Sequence, residues 1–168
     1  MTTPRRALAA RLGTAAVLAA ALAPALPAAP AAAADRLLTS VNNAATSKCL
    51  EVADWRTDNG APVRQWTCTG GDNQKWIRTD AHEYVNVHSG KCLDIPGYST
   101  APGTRAVQWS CNRGLNQAWT ETVVHHSGIH TLTNQHSLLV LDLFGFLRDD
   151  GAPVGQWEPN GGLNQVWF

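Results

Sequence analysis

A carboxylate, a tryptophan and an Asn-Gln pair return three times along the chain at one spacing. The sets are Glu51, Trp66, Asn73 and Gln74; Asp94, Trp109, Asn116 and Gln117; and Asp142, Trp157, Asn164 and Gln165. An indole offers a flat apolar face, an ionised carboxylate offers acceptors for charge-assisted hydrogen bonds, and an amide offers both donor and acceptor. Together they make a polar-plus-aromatic recognition site. A nucleophile with a base is absent from each set. Ser, His and Asp occur elsewhere, but none sits in a Gly-x-Ser-x-Gly frame. The six histidines, with His125, His126 and His130 close together, lack the Cys/His/Asp company that zinc spacing requires, and read as solvated loop residues. The sequence therefore calls for no metal, no cofactor and no catalysis.

Positioning these residues falls to a template. In each copy the acid stands 25 residues before a second tryptophan, from 51 to 76, 94 to 119 and 142 to 167, and the copies start 43 and then 48 residues apart. Cys49 and Cys68 are 19 apart, as are Cys92 and Cys111, while Val140 and Pro159 replace both cysteines of the third copy together. A paired loss is what a direct bond predicts, so the expected bridges are Cys49–Cys68 and Cys92–Cys111. If bridged cysteines lie opposite one another on antiparallel strands, Glu51 faces Trp66, Asp94 faces Trp109 and Asp142 faces Trp157. Strand alternation then puts acid, Trp and cysteines on one face and turns Leu50/Val52, Leu93/Ile95 and Leu141/Leu143 into a core.

The first 34 residues read as an export signal rather than fold. Arg5, Arg6 and Arg11 precede an Ala/Leu-rich run from about residue 14 to 26, and small residues lead to an Ala-x-Ala cut near Ala34. Pro24 and Pro27 break the run, which is too short for a membrane span. The Arg5-Arg6 pair raises a twin-arginine route, but the residues after it fit the ordinary secretory route better. Without the signal, 13 Lys/Arg become 10 against an unchanged 13 Asp/Glu, a formal −3. That charge argues against nucleic acid and against an anionic membrane as partners.

From Arg36 on, short β segments separated by Gly, Asn, Asp and Pro run from Leu37–Val41 to Val154–Trp157, and no window sustains a helical period. Gly60, Gly103 and Gly151 share one template position, as expected where a bend needs positive φ. Asn43, Asn86 and Asn134 share another and are expected to satisfy turn backbone. Three copies of about 45 residues cannot each hold a core alone. The expected fold is all-β, a β-trefoil of three repeats (about 35–79, 80–121 and 122–168), with Trp76, Trp119 and Trp167 supplying much of the interior.

Cys-Leu-Asp-Ile, Gln-Trp-Ser-Cys and Asn-Gln-x-Trp, three times over, resemble the ricin B-type (R-type) β-trefoil lectins and the related family-13 carbohydrate-binding modules, across about 36 to 168. The resemblance implies a shallow sugar pocket per repeat. In it the acid accepts from two hydroxyls, the Trp stacks on the ring, and the Asn, helped by its Gln, completes the polar set. That gives Asp94, Trp109, Asn116 and Gln117 for the middle pocket, and Asp142, Trp157, Asn164 and Gln165 for the third. Glu51, Trp66, Asn73 and Gln74 form the first, where Glu replaces the usual Asp and reaches one methylene further. A pyranose, with an apolar C–H face and a rim of hydroxyls, suits such a set. Single-site affinity is expected at about 0.1–1 mM, strengthened by avidity on a polymer. Binding is expected to fade as the carboxylates protonate, near or below about pH 4.

Blander roles compete. The Trp residues could be core, the acids turn formers, the Asn residues caps and the Gln residues structural; Trp55, Tyr98 and Phe146, which also coincide in the template, could flank pockets or merely pack hairpin ends. The reading is a secreted, non-catalytic binder of galactose- or xylose-type glycans. The alternatives are a protein-binding trefoil such as a protease inhibitor, or an accessory module working beside a separate glycoside hydrolase.

Overall fold

The computed structural model describes residues 36–38, 41–125 and 129–168. The export signal expected over residues 1–34, and His126, lie outside the described residues. Among the described residues there are eleven strands, β1 (Arg36–Leu38), β2 (Cys49–Val52), β3 (Val63–Trp66), β4 (Trp76–Arg78), β5 (Tyr84–Asn86), β6 (Cys92–Asp94), β7 (Val107–Trp109), β8 (Trp119–His125), β9 (Ile129–Asn134), β10 (Val140–Leu143) and β11 (Val154–Trp157). Each repeat contributes one antiparallel hairpin, β2–β3, β6–β7 and β10–β11. Six single 3-10 turns punctuate the strands, one at each hairpin tip and one carrying each Asn-Gln pair.

The hairpins are joined round a pseudo-three-fold axis, and every joint has the same sense. Gly60 N–H donates to Gln108 O (2.8 Å), Gly103 to Gln156 O (2.8 Å) and Gly151 to Gln65 O (3.0 Å). In return the Gln108 side chain donates to the carbonyls of Arg56 and Asp58, that of Gln156 to Ser99 and Ala101, and that of Gln65 to Leu147 and Asp149. The three glycines have φ of +82°, +85° and +86°, the left-handed region that the bend requires. A second ring comes from the repeated asparagines. Asn86 donates to Asn73 O, Asn134 to Asn116 O and Asn43 to Asn164 O, the last across 121 residues, while each Oδ1 accepts from its own turn. The result is a β-trefoil with a closed ring of repeats.

Inside it, Leu50, Val52, Leu93, Ile95, Leu141 and Leu143 are fully buried around Trp76, Trp119 and Trp167. Each indole N–H donates to the carbonyl of Leu50, Leu93 or Leu141 at 3.0–3.2 Å, so burial leaves no orphaned donor. Both expected disulfides are present, Cys49–Cys68 and Cys92–Cys111, with Cα separations of 5.1 Å.

The hairpin register differs from the expected one by two residues. Cys49 pairs with Trp66 and Glu51 with Arg64; Cys92 pairs with Trp109 and Asp94 with Val107; Val140 pairs with Trp157 and Asp142 with Gly155. The bridged cysteines are not strand partners, because β3 and β7 stop at the Trp and the chain folds Cys68 and Cys111 back over Cys49 and Cys92. An even shift preserves facing, so acid and Trp still share a side. They are now diagonal neighbours, and a third residue, Arg64, Val107 or Gly155, lies directly opposite the acid. His130, expected in a loop, is a half-buried member of β9.

Candidate functional site

Each site is a cleft between a hairpin tip, the platform Trp and the Asn-Gln turn. In the middle repeat the floor is Asp94, almost wholly buried. Its Oδ2 accepts from Gln117 Nε2 at 2.7 Å and Asn116 Nδ2 at 3.0 Å. Gln117 also donates to Ser110 O, one residue past the Trp, and accepts from Asn112 N–H, so it ties the acid to the chain beneath the platform. Asn116 spends its second amide hydrogen on Ile95 O. The other carboxylate oxygen, Oδ1, accepts no hydrogen bond from the described residues. The third repeat repeats this, with Asp142 Oδ2 held by Gln165 (2.8 Å) and Asn164 (2.9 Å) and Oδ1 uncommitted.

These bonds assign roles. Gln117 and Gln165 are braces, and Asn116 and Asn164, whose amide hydrogens are both used, orient the acid while lining the cleft. Their own Oδ1 atoms are buried without a partner. They press against Gly114 and Gly162, where an added Cβ would lie 2.5 and 2.4 Å from them and 2.3 and 2.8 Å from Tyr98 Oη and Phe146 Cζ. At these two glycines the turn and the aromatic wall approach each other closely.

The platforms are exposed. Trp109 and Trp157 are 42% and 44% accessible, and each rests its Cζ3 edge over the bend glycine of the preceding repeat, Gly60 at 3.7 Å and Gly103 at 3.2 Å from the position a Cβ would take. Opposite stand Tyr98 and Phe146, also about half exposed, held at the tip by positive φ of +53° and +54°. They line the clefts, which resolves their two competing readings in favour of flanking. His136 meets Tyr98 edge-on at 5.1 Å and contacts its carbonyl, and His88 does the same for Trp55. The template position holds Ala45 in the remaining repeat, so the third cleft has no such buttress.

The three clefts differ in size, about 550 Å³ for the third, 300 Å³ for the middle and 210 Å³ for the first. The register explains why. Opposite the acid the third repeat has Gly155, the middle Val107 and the first Arg64. Arg64 donates to Glu51 Oε1 at 3.0 Å and Asp54 Oδ1 at 2.9 Å, and its guanidinium lies 4.3 Å above the Trp66 ring. It thus occupies both the free carboxylate oxygen and the face of the platform. Glu51, Trp66, Asn73 and Gln74 come together as expected, with Asn73 at 3.3 Å and Gln74 at 2.9 Å from Glu51 Oε2, but the face of Trp66 is covered from within the protein by Arg64. Sequence reasoning missed Arg64 and Asp54. The repeat held the signal, since both positions are uncharged in the other copies, Val107 with Gly97 and Gly155 with Gly145.

Burial pushes the carboxyls of Asp94 and Asp142 above the ordinary value of 3.8; hydrogen bonds from Gln117 and Asn116, and from Gln165 and Asn164, oppose that rise without cancelling it. Protonation is therefore displaced upward, not to or below the ordinary range as the sequence suggested. No group of His, Cys, Asp and Glu among the described residues is arranged to hold a metal.

A family model described as the Ricin-type beta-trefoil lectin domain matches residues 38–167. The chain belongs to that family. Among solved structures, this ricin-type trefoil is similar to ThreeFoil, a designed three-fold symmetric protein, with 36% identity, a TM-score of 0.73, and coverage of 76% of this chain and 94% of that one. It is also similar to 1,3Gal43A, an exo-β-1,3-galactanase from Clostridium thermocellum, at 32% identity and a TM-score of 0.73 over 76% of this chain and 28% of that one. A shorter likeness, 46% over 33 residues, links it to the probable lipoprotein EnvE of Salmonella typhimurium; the match takes in 20% of this chain and 19% of that relative's length. As a ricin-type lectin domain, the trefoil is a carbohydrate-binding fold.

Proposed function

We propose that this protein is a secreted, non-catalytic lectin that binds galactose- or xylose-type glycans through its middle and third clefts. The observation that carries the reading is the pairing, in these two clefts only, of an exposed indole face (Trp109, Trp157) with a braced carboxylate whose Oδ1 is uncommitted (Asp94, Asp142). A pyranose lying on the indole presents its hydroxyl edge to that oxygen, which can accept from two of them. The first cleft contributes Trp66 and Glu51 to structure, with Arg64 as internal occupant. Likeness to a galactanase favours galactose-type units, and the two disulfides with the Arg- and Ala-rich leader favour export. Trp109→Ala with Trp157→Ala is expected to abolish retention on galactan and xylan matrices; retention unchanged in that double variant refutes the assignment. Turnover of either polysaccharide by the purified chain refutes the non-catalytic reading.

A further inference from the structure

The third cleft carries a feature that the other two lack. Arg105 lines it, at a template position where the other repeats have Pro62 and Pro153. It comes from the neighbouring repeat and bridges to Gly155, the residue directly opposite Asp142. That glycine is needed there, because an added Cβ would lie 2.9 Å from Arg105 Cα and 2.3 Å from Thr104 O. The absent side chain therefore both enlarges the cleft and lets the Arg105 backbone close over its edge. Arg105 is exposed and has no ion pair among the described residues. Asp142 shares the cleft with Arg105 but forms no ion pair with it among the described residues. In the crevice that Arg105 also borders, Asp54 and Glu51 hold Arg64, and Asp58 holds Arg56.

Resting on the lectin reading above, we infer that the third cleft selects a sugar unit bearing an anionic substituent, a carboxylate or sulfate, with Arg105 as the specificity-determining residue. A guanidinium presents paired N–H donors that match the oxygens of either group. Asp142 lies under the platform and repels a negative charge at the ring's hydroxyl edge, so the charged group must point away from it, toward the Arg105 rim. Among the described residues the middle cleft has no cation in its lining, and the cation of the first is neutralised within the protein. The three clefts are thus chemically distinct in spite of one template.

The test uses the full trefoil carrying Trp109→Ala, so that the third cleft alone reports, and follows the Trp157 indole N–H signal by NMR while titrating methyl galactoside, methyl galacturonoside and galactose 6-sulfate. The expected result is a preference on the order of fivefold for one or both acidic probes, the size of an exposed charge-assisted pair, shrinking in high salt. The two acidic arms decide between carboxylate and sulfate. Adding Arg105→Gln brings the acidic-to-neutral ratio to about one. Equal affinity for all probes with Arg105 present, or a preference that survives Arg105→Gln, overturns the inference and leaves the lectin reading standing. No response of Trp157 to any probe overturns the sugar site itself, and the inference with it.

Discussion

At the level of single residues, the proposed sites divide labour between an exposed indole face and the amides that hold the carboxylate still. Trp109→Ala and Trp157→Ala each remove a stacking face and are expected to weaken binding at their own cleft at least tenfold, about 1.4 kcal/mol, while Trp66→Ala leaves glycan binding unchanged; isothermal titration of the three variants separates them. The acids lead to a pH prediction. Only the ionised form offers Oδ1 as a full acceptor, so binding is lost as pH falls through a value above the ordinary 3.8. Stability runs the opposite way. A carboxyl whose folded value lies above its unfolded one favours the fold most when protonated, so its contribution is complete below 3.8 and is lost as pH rises through the raised value. Asp94→Asn with Asp142→Asn keeps an oxygen for the Gln and Asn braces and removes the buried charge. At neutral pH this double variant is expected to melt at or above the wild-type temperature while losing sugar binding; a lower Tm would show that the charge itself stabilises the fold.

At the level of elements, the register decides what each hairpin can host. The diagonal offset leaves a gap between acid and platform, and the residue opposite the acid fills it or leaves it open. Arg64→Val, which installs the middle repeat's residue in the first, is expected to free Glu51 Oε1 and the Trp66 face, and to raise the stoichiometry of binding from two sites to three by titration. In the turn, Gly114→Ala places a methyl within 2.3 Å of the Tyr98 hydroxyl and is expected to close the middle cleft while sparing the third. Much of this was legible in the sequence. Strand positions, both bridges, the bend glycines and the core Trp residues all follow from three copies of one template, because repetition separates required residues from incidental ones. The register was not legible, because it was inferred from the cysteines, and a disulfide can tie chain that has already left the strand. The first cleft's occupant escaped notice for a related reason. A repeat displays what its copies share, whereas Arg64 and Asp54 matter because the other copies lack them.

At the level of the whole molecule, stability and valency both come from the ring. Asn43 donates to a carbonyl 121 residues away and Asn86 to one 13 residues away, yet the two bonds are equivalent in the trefoil. Asn43→Ala and Asn86→Ala are accordingly expected to cost similar amounts, about 1–3 kcal/mol each for a buried bond and the acceptor it orphans, measured by denaturant unfolding. If both proposed clefts bind, a polymeric glycan whose units span the distance between them is expected to be held far more strongly than its monomer, which titration of polymer against monosaccharide would measure.

Ring closure also makes the chain's serial order unimportant to the finished body. The strand bridge from Asn43 to Trp167, with the reciprocal bonds between Asn42 and Phe168, sets the head of the first copy beside the tail of the last. A circular permutant that joins these two and opens between Thr79 and Glu83 instead would retain every contact described above apart from those of the severed turn. Any of the three copies could then be the one translated first.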